Sequence, residues 1–141
     1  TSGREIRQVA SFNTRPGLPG MGEMDGVAAS VFKLDNGGVA TMHLDYLRPK
    51  KAPSHGDDRL RLIGTQGVVE YQASTGVTVI TNDRPPAPID PLPRPLSLFV
   101  DFLEATYKRK PPGLPLADIY RASDIALAAE RATAEGRVIS V

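Results

Sequence analysis

Residues 25–72 read DGVAASVFKLDNGGVATMHLDYLRPKKAPSHGDDRLRLIGTQGVVEYQ, and this stretch decides the fold. Runs of alternating apolar residues flank Asp35-Asn36-Gly37-Gly38, and Asn-Gly between two such runs is a strong signal for a β-hairpin. We predict that Asp35 pairs with Val39 around a three-residue loop, residues 36–38, in which one glycine takes the left-handed conformation. A slip of one residue would move every side chain of the strand to the other face of the sheet.

A second hairpin is predicted over residues 60–71, with its turn at Thr65-Gln66. This pairing sets Arg61 against Glu70, and opposite charges at facing positions of neighbouring strands stabilise a hairpin. A three-residue turn with Gly67 as the bulge residue fits the sequence equally well, so the sequence leaves both turns open.

The remaining chain contains apolar runs with strand or helix periodicity and one proline-rich segment. Strands are expected over residues 5–14, 77–81 and 138–141, and helices over residues 96–108 and 116–135, with Gly136 as the C-terminal cap. Residues 84–95 hold six prolines, which neither a helix nor a central strand tolerates. We therefore expect an extended connector there.

Strands come first in this order and helices last, which predicts an α+β fold. The expected architecture is an open antiparallel or mixed β-sheet with helices on one face, in a single domain over residues 1–141. The face assigned to the helices comprises Ala28, Phe32, Leu34, Ala40, Met42, Leu44 and Tyr46. The helical residues expected to meet it are Phe99, Phe102, Leu103 and Ile125.

Composition excludes several classes of function. The net charge of +1 gives no electrostatic reason to bind nucleic acid or an anionic membrane. The absence of cysteine excludes disulfides and thiolate metal sites, and it fits a reducing compartment, so we expect a cytoplasmic protein. No apolar run approaches the length of a membrane span.

The sequence shows no catalytic constellation and no glycine-rich phosphate loop between a strand and a helix. Its two histidines, His43 in a strand and His55 in a loop, are too few and too far apart to suggest a metal site. Arg48 stands near Lys50 and Lys51, a small basic patch that fits either a solvated loop or a site for a phosphate or carboxylate.

A family resemblance emerges from residues 43–49, HLDYLRP, and residues 55–67, HGDDRLRLIGTQG. With the hairpin at residues 32–40 and the alanine-rich segment ending at residues 136–138, they resemble the C-terminal domain of the glucose-fructose oxidoreductase / inositol dehydrogenase / MocA (Gfo/Idh/MocA) family. The resemblance covers nearly the whole chain. The order and spacing of its pieces carry more weight than any single piece.

The resemblance implies a two-domain NAD(P)-dependent oxidoreductase of sugars, polyols or related carbinols. In that family a Rossmann domain and a catalytic helix come first, and no residue here matches either. The chain is thus interpreted as the substrate-side and oligomerisation domain, inactive alone and binding no nicotinamide itself. No catalytic residue carries over; Tyr46, Arg48 and His55 remain as substrate-binding candidates.

Two other interpretations stay open at this point. The chain could be a freestanding β-sheet binding or dimerisation module without enzymatic activity. It could also belong to a non-redox member of the family, such as one that cleaves glycosides. The sequence specifies neither the substrate nor the choice between NAD and NADP.

The sheet face opposite the helices is expected to carry an oligomer interface. It comprises Val27, Ala29, Val31, Lys33, Val39, Thr41, His43 and Asp45. Its valines form more apolar surface than a monomer commonly leaves open. We expect a homodimer or homotetramer through this face, burying at least the standard area of about 1,600 Å².

Overall fold

The computed structural model describes residues 3–15, 19–20, 22–54 and 56–141 of the chain. These residues form two compact units. The first unit, residues 3–48 and 96–141, contains β1 (Ile6–Thr14), β2 (Val27–Leu34), β3 (Val39–Asp45), α1 (Leu98–Lys108), α2 (Leu116–Glu135) and β8 (Ile139–Ser140). The second unit, residues 49–95, contains β4 (Arg59–Gly64), β5 (Gly67–Gln72), β6 (Gly76–Thr81) and β7 (Arg84–Pro88).

The predicted α+β class is confirmed, with all strand pairs antiparallel. The prediction described one sheet. The hydrogen bonds of the described residues divide the strands into two four-stranded sheets, ordered β3-β2-β1-β8 and β4-β5-β6-β7. We call them the first and the second sheet. That residues 1–141 form a single domain stays a prediction.

The core of the first unit lies where α2 packs on the first sheet. Its buried residues are Val9, Phe32, Ala128, Ala132 and Ile139, with Ile125 and Ala40 partly buried beside them. Small alanines on the inner face of α2 let the helix backbone approach the strands closely. The buried hydroxyls of Ser11 and Ser30 lie 2.8 Å apart, so each has a hydrogen-bond partner away from water.

The first hairpin has a three-residue loop, as predicted, but the loop begins one residue earlier than predicted. Gly37 is the left-handed residue (φ 83°), and the N–H of Leu34 donates to the carbonyl oxygen of Gly38 at 2.8 Å. Residues 35–37 are therefore the loop, and Phe32 pairs with Ala40. The predicted register is wrong by two residues, a shift that keeps each side chain on its predicted face.

The second hairpin has the first of the two turns that the sequence left open. Gly64 pairs with Gly67, so the turn has two residues and the alternative bulge is excluded. Arg61 faces Glu70 with 2.8 Å between its Nε and the carboxylate Oε1. Gly67 is required for packing, because a Cβ there would lie 2.3 Å from the carbonyl oxygen of Ile80.

The proline-rich segment is only partly a connector. Its first residues form β7, which pairs with β6 through Thr78 opposite Pro88 and Val79 opposite Ala87. The expectation of a connector over all of residues 84–95 is therefore wrong. The prolines are tolerated in β7 because it is the edge strand of the second sheet. On the open side of an edge strand, a missing proline N–H group costs no hydrogen bond to a neighbouring strand.

The two helices differ in how well the sequence anticipated their packing. The predicted bounds of α2 are confirmed, and Gly136 caps it in the left-handed conformation (φ 61°). α1 begins at Leu98, two residues later than predicted, because Ser97 is its N-cap and accepts the N–H of Val100.

The predicted cover of the sheet by α1 is wrong. No residue of α1 is buried, and the side chains of Phe99 and Phe102 are 70% and 61% exposed. Met42 and Leu44, which were expected beneath them, are also exposed. Neither helix in the described part of the chain has both the length and the apolar character that crossing a membrane requires.

Candidate functional site

The substrate-side candidates begin where β3 ends. The N–H of Tyr46 donates to the carbonyl oxygen of Gly26 at 2.9 Å, which continues the β2–β3 ladder by one residue. The N–H of Leu47 then donates to Oδ1 of Asp45 at 2.9 Å, a local turn that stops the strand. Tyr46 is thereby fixed through its backbone while 58% of it remains exposed, so its phenol is available to a ligand.

Arg48 is the last residue of the first of the two segments that form the first unit, and it is half-buried. Tyr46 and Arg48 thus share one segment at the end of β3. Lys50 and Lys51 are exposed and belong to the second unit. His55 lies outside the described residues, so its substrate-side role stays a prediction.

A second candidate site is the outer face of the first sheet, which we define as the face opposite α2. Alternation along the paired strands places on it Gln8, Ala10, Phe12, Thr14, Val27, Ala29, Val31, Lys33, Val39, Thr41, His43 and Asp45. Phe12 is 79% exposed, Val39 67% and Val31 50%. These three side chains form an exposed apolar strip on the outer face.

Sequence reasoning missed the part of the outer face that β1 contributes. Phe12 is its most exposed apolar side chain, yet the predicted face contained only residues of β2 and β3. The pairing of β1 with β2 is what brings Phe12 beside Ala29. The available signal was the alternation within β1, where Val9 and Phe12 stand at positions of opposite parity and so face opposite sides.

A groove of about 620 Å³ runs along α2 beside β8. Its lining includes Arg121, Asp124, Glu130 and Arg131, whose charges balance. Arg121 is already engaged, because its Nη2 donates to the carbonyl oxygen of Ile6 at 2.6 Å. This balanced, partly satisfied lining offers no converging set of groups for one ligand.

The described residues hold no group of three or more His, Asp or Glu side chains that could bind a metal ion. The pKa of Glu104 is lowered by hydrogen bonds from the ammonium groups of Lys108 and Lys110, at 2.9 and 3.0 Å. Glu104 is a partly exposed residue of α1, and its lowered pKa reflects this lysine cluster at the surface, not a catalytic carboxyl group.

The turn before α2 does not suit a dinucleotide. The turn before α2 contains Gly113, but its N–H already donates to both carboxylate oxygens of Asp101, at 3.1 and 3.0 Å. A carboxylate at that place would repel a pyrophosphate, which needs free N–H groups at a helix start. The N–H of Gly113 is therefore not free to hold a pyrophosphate in this structure.

Solved structures resemble the chain over nearly its whole length. A Thermotoga maritima protein assigned as an oxidoreductase is 29% identical, with a TM-score of 0.88, over 99% of this chain and 42% of its own. The aldose-aldose oxidoreductase from Caulobacter crescentus, complexed with glycerol, is 23% identical, with a TM-score of 0.78, over 99% of this chain and 42% of its own. No protein-family model and no curated protein sequence matches the chain.

An oxidoreductase from Agrobacterium radiobacter, in complex with NAD+, L-tartaric acid and magnesium, is also similar. It is 15% identical, with a TM-score of 0.75, over 96% of this chain and 43% of its own. The chain thus spans less than half the length of each of these three structures. The likeness is to one part of a longer oxidoreductase.

Proposed function

Since the chain has the fold of the C-terminal domain of the Gfo/Idh/MocA oxidoreductases, we propose that it is the substrate-side and assembly domain of such an enzyme. The observation that carries this proposal is coverage: 99% of the chain aligns with 42% of the Thermotoga maritima oxidoreductase. The cofactor-binding and catalytic residues would lie in a further domain of the whole cytoplasmic protein. The isolated chain is inactive.

The cofactor of the whole enzyme is a nicotinamide, NAD or NADP. One similar structure holds NAD+. This chain would not bind it, because Asp101 occupies the N–H of Gly113 before α2 and no glycine-rich turn opens either helix. The residues described above therefore take no part in holding the cofactor.

The substrate is a sugar, a polyol or a related carbinol. Support comes from the aldose-aldose oxidoreductase and its bound glycerol. In this chain Tyr46, Arg48 and His55 contact the substrate: a phenol and a cation suit hydroxyl and carboxylate groups. Tyr46 is suited to contact a substrate, because its backbone is hydrogen-bonded to Gly26 while its side chain is exposed.

The whole protein that contains this chain is the material for the test. We expect substrate-dependent reduction of NAD or NADP, followed by the absorbance of the reduced nicotinamide across a panel of aldoses and polyols. Tyr46→Phe should raise KM for the substrate severalfold and leave the cofactor affinity unchanged. Tyr107→Phe is the matched control, because Tyr107 is 80% exposed on α1.

Two outcomes would overturn parts of the proposal. Absence of nicotinamide turnover with every substrate would remove the enzymatic function and favour a freestanding module. Micromolar binding of NAD or NADP to the isolated chain, measured by calorimetry, would contradict the assignment of the cofactor site to another domain.

Assembly into a homodimer or homotetramer is the second role. It would use the outer face of the first sheet, where Phe12, Val31 and Val39 are exposed. Two such sheets pack face to face in a closed, two-fold arrangement. Val31→Glu should dissociate the assembly and leave the fold intact, because Val31 contributes nothing to the buried core.

A further inference from the structure

The flank of α2 beside β8 carries residues at heptad spacing. At intervals of four, three, four and three, these residues are Tyr120, Asp124, Leu127, Arg131 and Ala134. Such spacing places its members along one narrow stripe of a helix, which we call the α2 seam. All of the seam except Tyr120 lines the groove beside β8. Tyr120 is 63% exposed and Leu127 is 58% exposed, so the seam is open to a partner.

The α2 seam is complementary to itself when two helices meet antiparallel with Leu127 at the centre. Reversal about Leu127 places Tyr120 opposite Ala134 of the second copy, so a large side chain meets a small one. It also places Asp124 opposite Arg131 of the second copy, and Leu127 opposite its own counterpart. Asp124 and Arg131 are exposed, and neither forms an ion pair with a described residue. The balanced charges of the groove thus fit a second copy of the same helix.

β8 lies beside the α2 seam and is an edge strand of the first sheet. The N–H of Val141 donates to the carbonyl oxygen of Arg7 at 3.0 Å, and Ser140 stands opposite Gln8. Because hydrogen-bonded and non-bonded pairs alternate between antiparallel strands, the N–H and C=O of Ser140 point away from β1. Ser140 is exposed and lines the same groove as Leu127. Two copies of β8 can therefore exchange a pair of hydrogen bonds at Ser140.

A single two-fold axis satisfies the contacts of the seam and of the strand. The seam can meet its copy only when both helices lie on the same side of the joined sheet, which requires an axis perpendicular to the sheet. That axis also sets β8 antiparallel to its copy. α2 packs on Val9 of β1 and on Ile139 of β8. With strands about 4.8 Å apart, two helices centred between β1 and β8 lie about 10 Å from each other, the spacing at which helices pack.

We propose that a second copy of this chain docks along the α2 seam and β8, joining the two first sheets edge to edge. The contacts are two symmetric Asp124–Arg131 pairs, Leu127 against its counterpart, and the hydrogen bonds at Ser140. This surface is separate from the outer face and does not depend on the enzymatic function proposed above. Together the two surfaces assemble a homotetramer.

Cysteine cross-linking tests this contact, because the described residues include no cysteine. Leu127→Cys and Ala126→Cys are made in the full chain, oxidised under the same conditions and separated on a denaturing gel. We expect a disulfide-linked dimer from Leu127→Cys, since position 127 lies beside the axis. Ala126→Cys is the matched control, because Ala126 is exposed on the same helix outside the seam. Linking of Leu127→Cys no faster than that of Ala126→Cys would overturn the proposal.

Charge exchange within the Leu127→Cys chain tests the ion pairs. Asp124→Arg sets like charges against each other and should slow linking at least about tenfold, and adding Arg131→Asp should restore most of the rate. Circular dichroism checks that both variants are folded. Failure of the folded double variant to recover would overturn the Asp124–Arg131 pairs.

The outer face supplies the control that separates the two assembly surfaces. Val31→Glu, also made in the Leu127→Cys chain, should leave the rate of linking unchanged, because Val31 lies on the outer face and α2 on the opposite one. A folded Val31→Glu chain that no longer links at position 127 would overturn the seam as an interface in its own right. Unchanged linking supports it even where the outer-face assembly fails.

Discussion

Arg121 of α2 donates a hydrogen bond from Nη2 to the carbonyl oxygen of Ile6, 2.6 Å away and 115 positions earlier in the chain. Its Nε also lies 3.5 Å from Oε2 of Glu5. The first contact fixes the helix to the start of β1, beside the core that α2 forms with the first sheet. The guanidinium therefore acts as a long-range link in the first unit.

Replacing this guanidinium should destabilise the first unit. Arg121→Met leaves the carbonyl oxygen of Ile6 without its charged donor, and we expect a loss of about 1.5 kcal/mol in the free energy of unfolding. Urea denaturation measures the loss. Arg137→Met is the matched control: Arg137 pairs with Glu135 at the exposed end of α2, so it should change stability by less than about 0.5 kcal/mol. Equal effects of the two variants would contradict the linking role.

Gly67 offers a sharper test in the second unit. Gly67→Ala would place a Cβ 2.3 Å from the carbonyl oxygen of Ile80 on β6, so the strands must separate locally. We expect a loss of about 2 kcal/mol, with faster amide exchange in β5 and β6. Gly64→Ala is the control, since its Cβ would meet only the carbonyl oxygen of Gly67 at 4.0 Å. Unchanged exchange in Gly67→Ala would show that the strands adapt without cost.

The first hairpin shows how far local pattern determines register. Alternation assigned the faces correctly, but two adjacent glycines offered two places for the left-handed residue. The chain uses Gly37, and the side chain of Asn36 then accepts the N–H of Gly38 at 3.0 Å. This extra hydrogen bond depends on side-chain geometry, which the spacing of residues does not reveal. In the second hairpin the sequence left two turns open, and the structure has the two-residue turn that sets Arg61 against Glu70.

The candidate site residues show a second limit of prediction from the sequence. A family resemblance pointed to Tyr46 and Arg48, and the structure gives Tyr46 a fixed backbone and an exposed ring. Phe12 escaped notice because its place depends on a pairing between β1 and β2 that no local turn signal announces. Amphipathic periodicity likewise predicts that α1 has an apolar face, but not what that face meets.

Two phenylalanines should respond very differently to truncation. Phe32 is 5% exposed in the core, so Phe32→Ala should cost about 4 kcal/mol or unfold the first unit. Phe102 is 61% exposed on α1, and Phe102→Ala in the isolated chain should change stability by less than about 0.5 kcal/mol. Thermal unfolding by circular dichroism compares them. A large loss in Phe102→Ala would mean that α1 packs on the sheet after all, as its periodicity suggested.

Thr133 carries a buried side-chain hydroxyl with no hydrogen-bond partner among the described residues. Thr133→Val keeps the shape and removes the polar atom, so we expect a gain of about 1 kcal/mol in stability. Thr106→Val is the matched control on α1, because Thr106 is exposed. Should Thr133→Val be less stable than the wild type, an ordered water or a partner group must satisfy that hydroxyl.

The lowered pKa of Glu104 predicts how the stability of α1 changes in acid. Hydrogen bonds from Lys108 first and Lys110 second hold the pKa of Glu104 below its ordinary value of 4.5. A carboxyl group whose pKa is lower in the folded state stabilises that state above its unfolded pKa, and the contribution disappears as the pH falls through the folded pKa. Protonation of Glu104 should therefore loosen α1 only in distinctly acidic solution.

An NMR titration of the Glu104 carboxyl carbon measures this directly. Lys108→Met should raise its pKa toward the ordinary value, and Lys110→Met should raise it less, following the order of the two contributions. Added salt should raise the pKa in the wild type as well, because exposed charges are screened within a Debye length of about 3 Å at 1 M ionic strength. A titration of Glu104 unaffected by both lysine variants would show that the cluster does not form in solution.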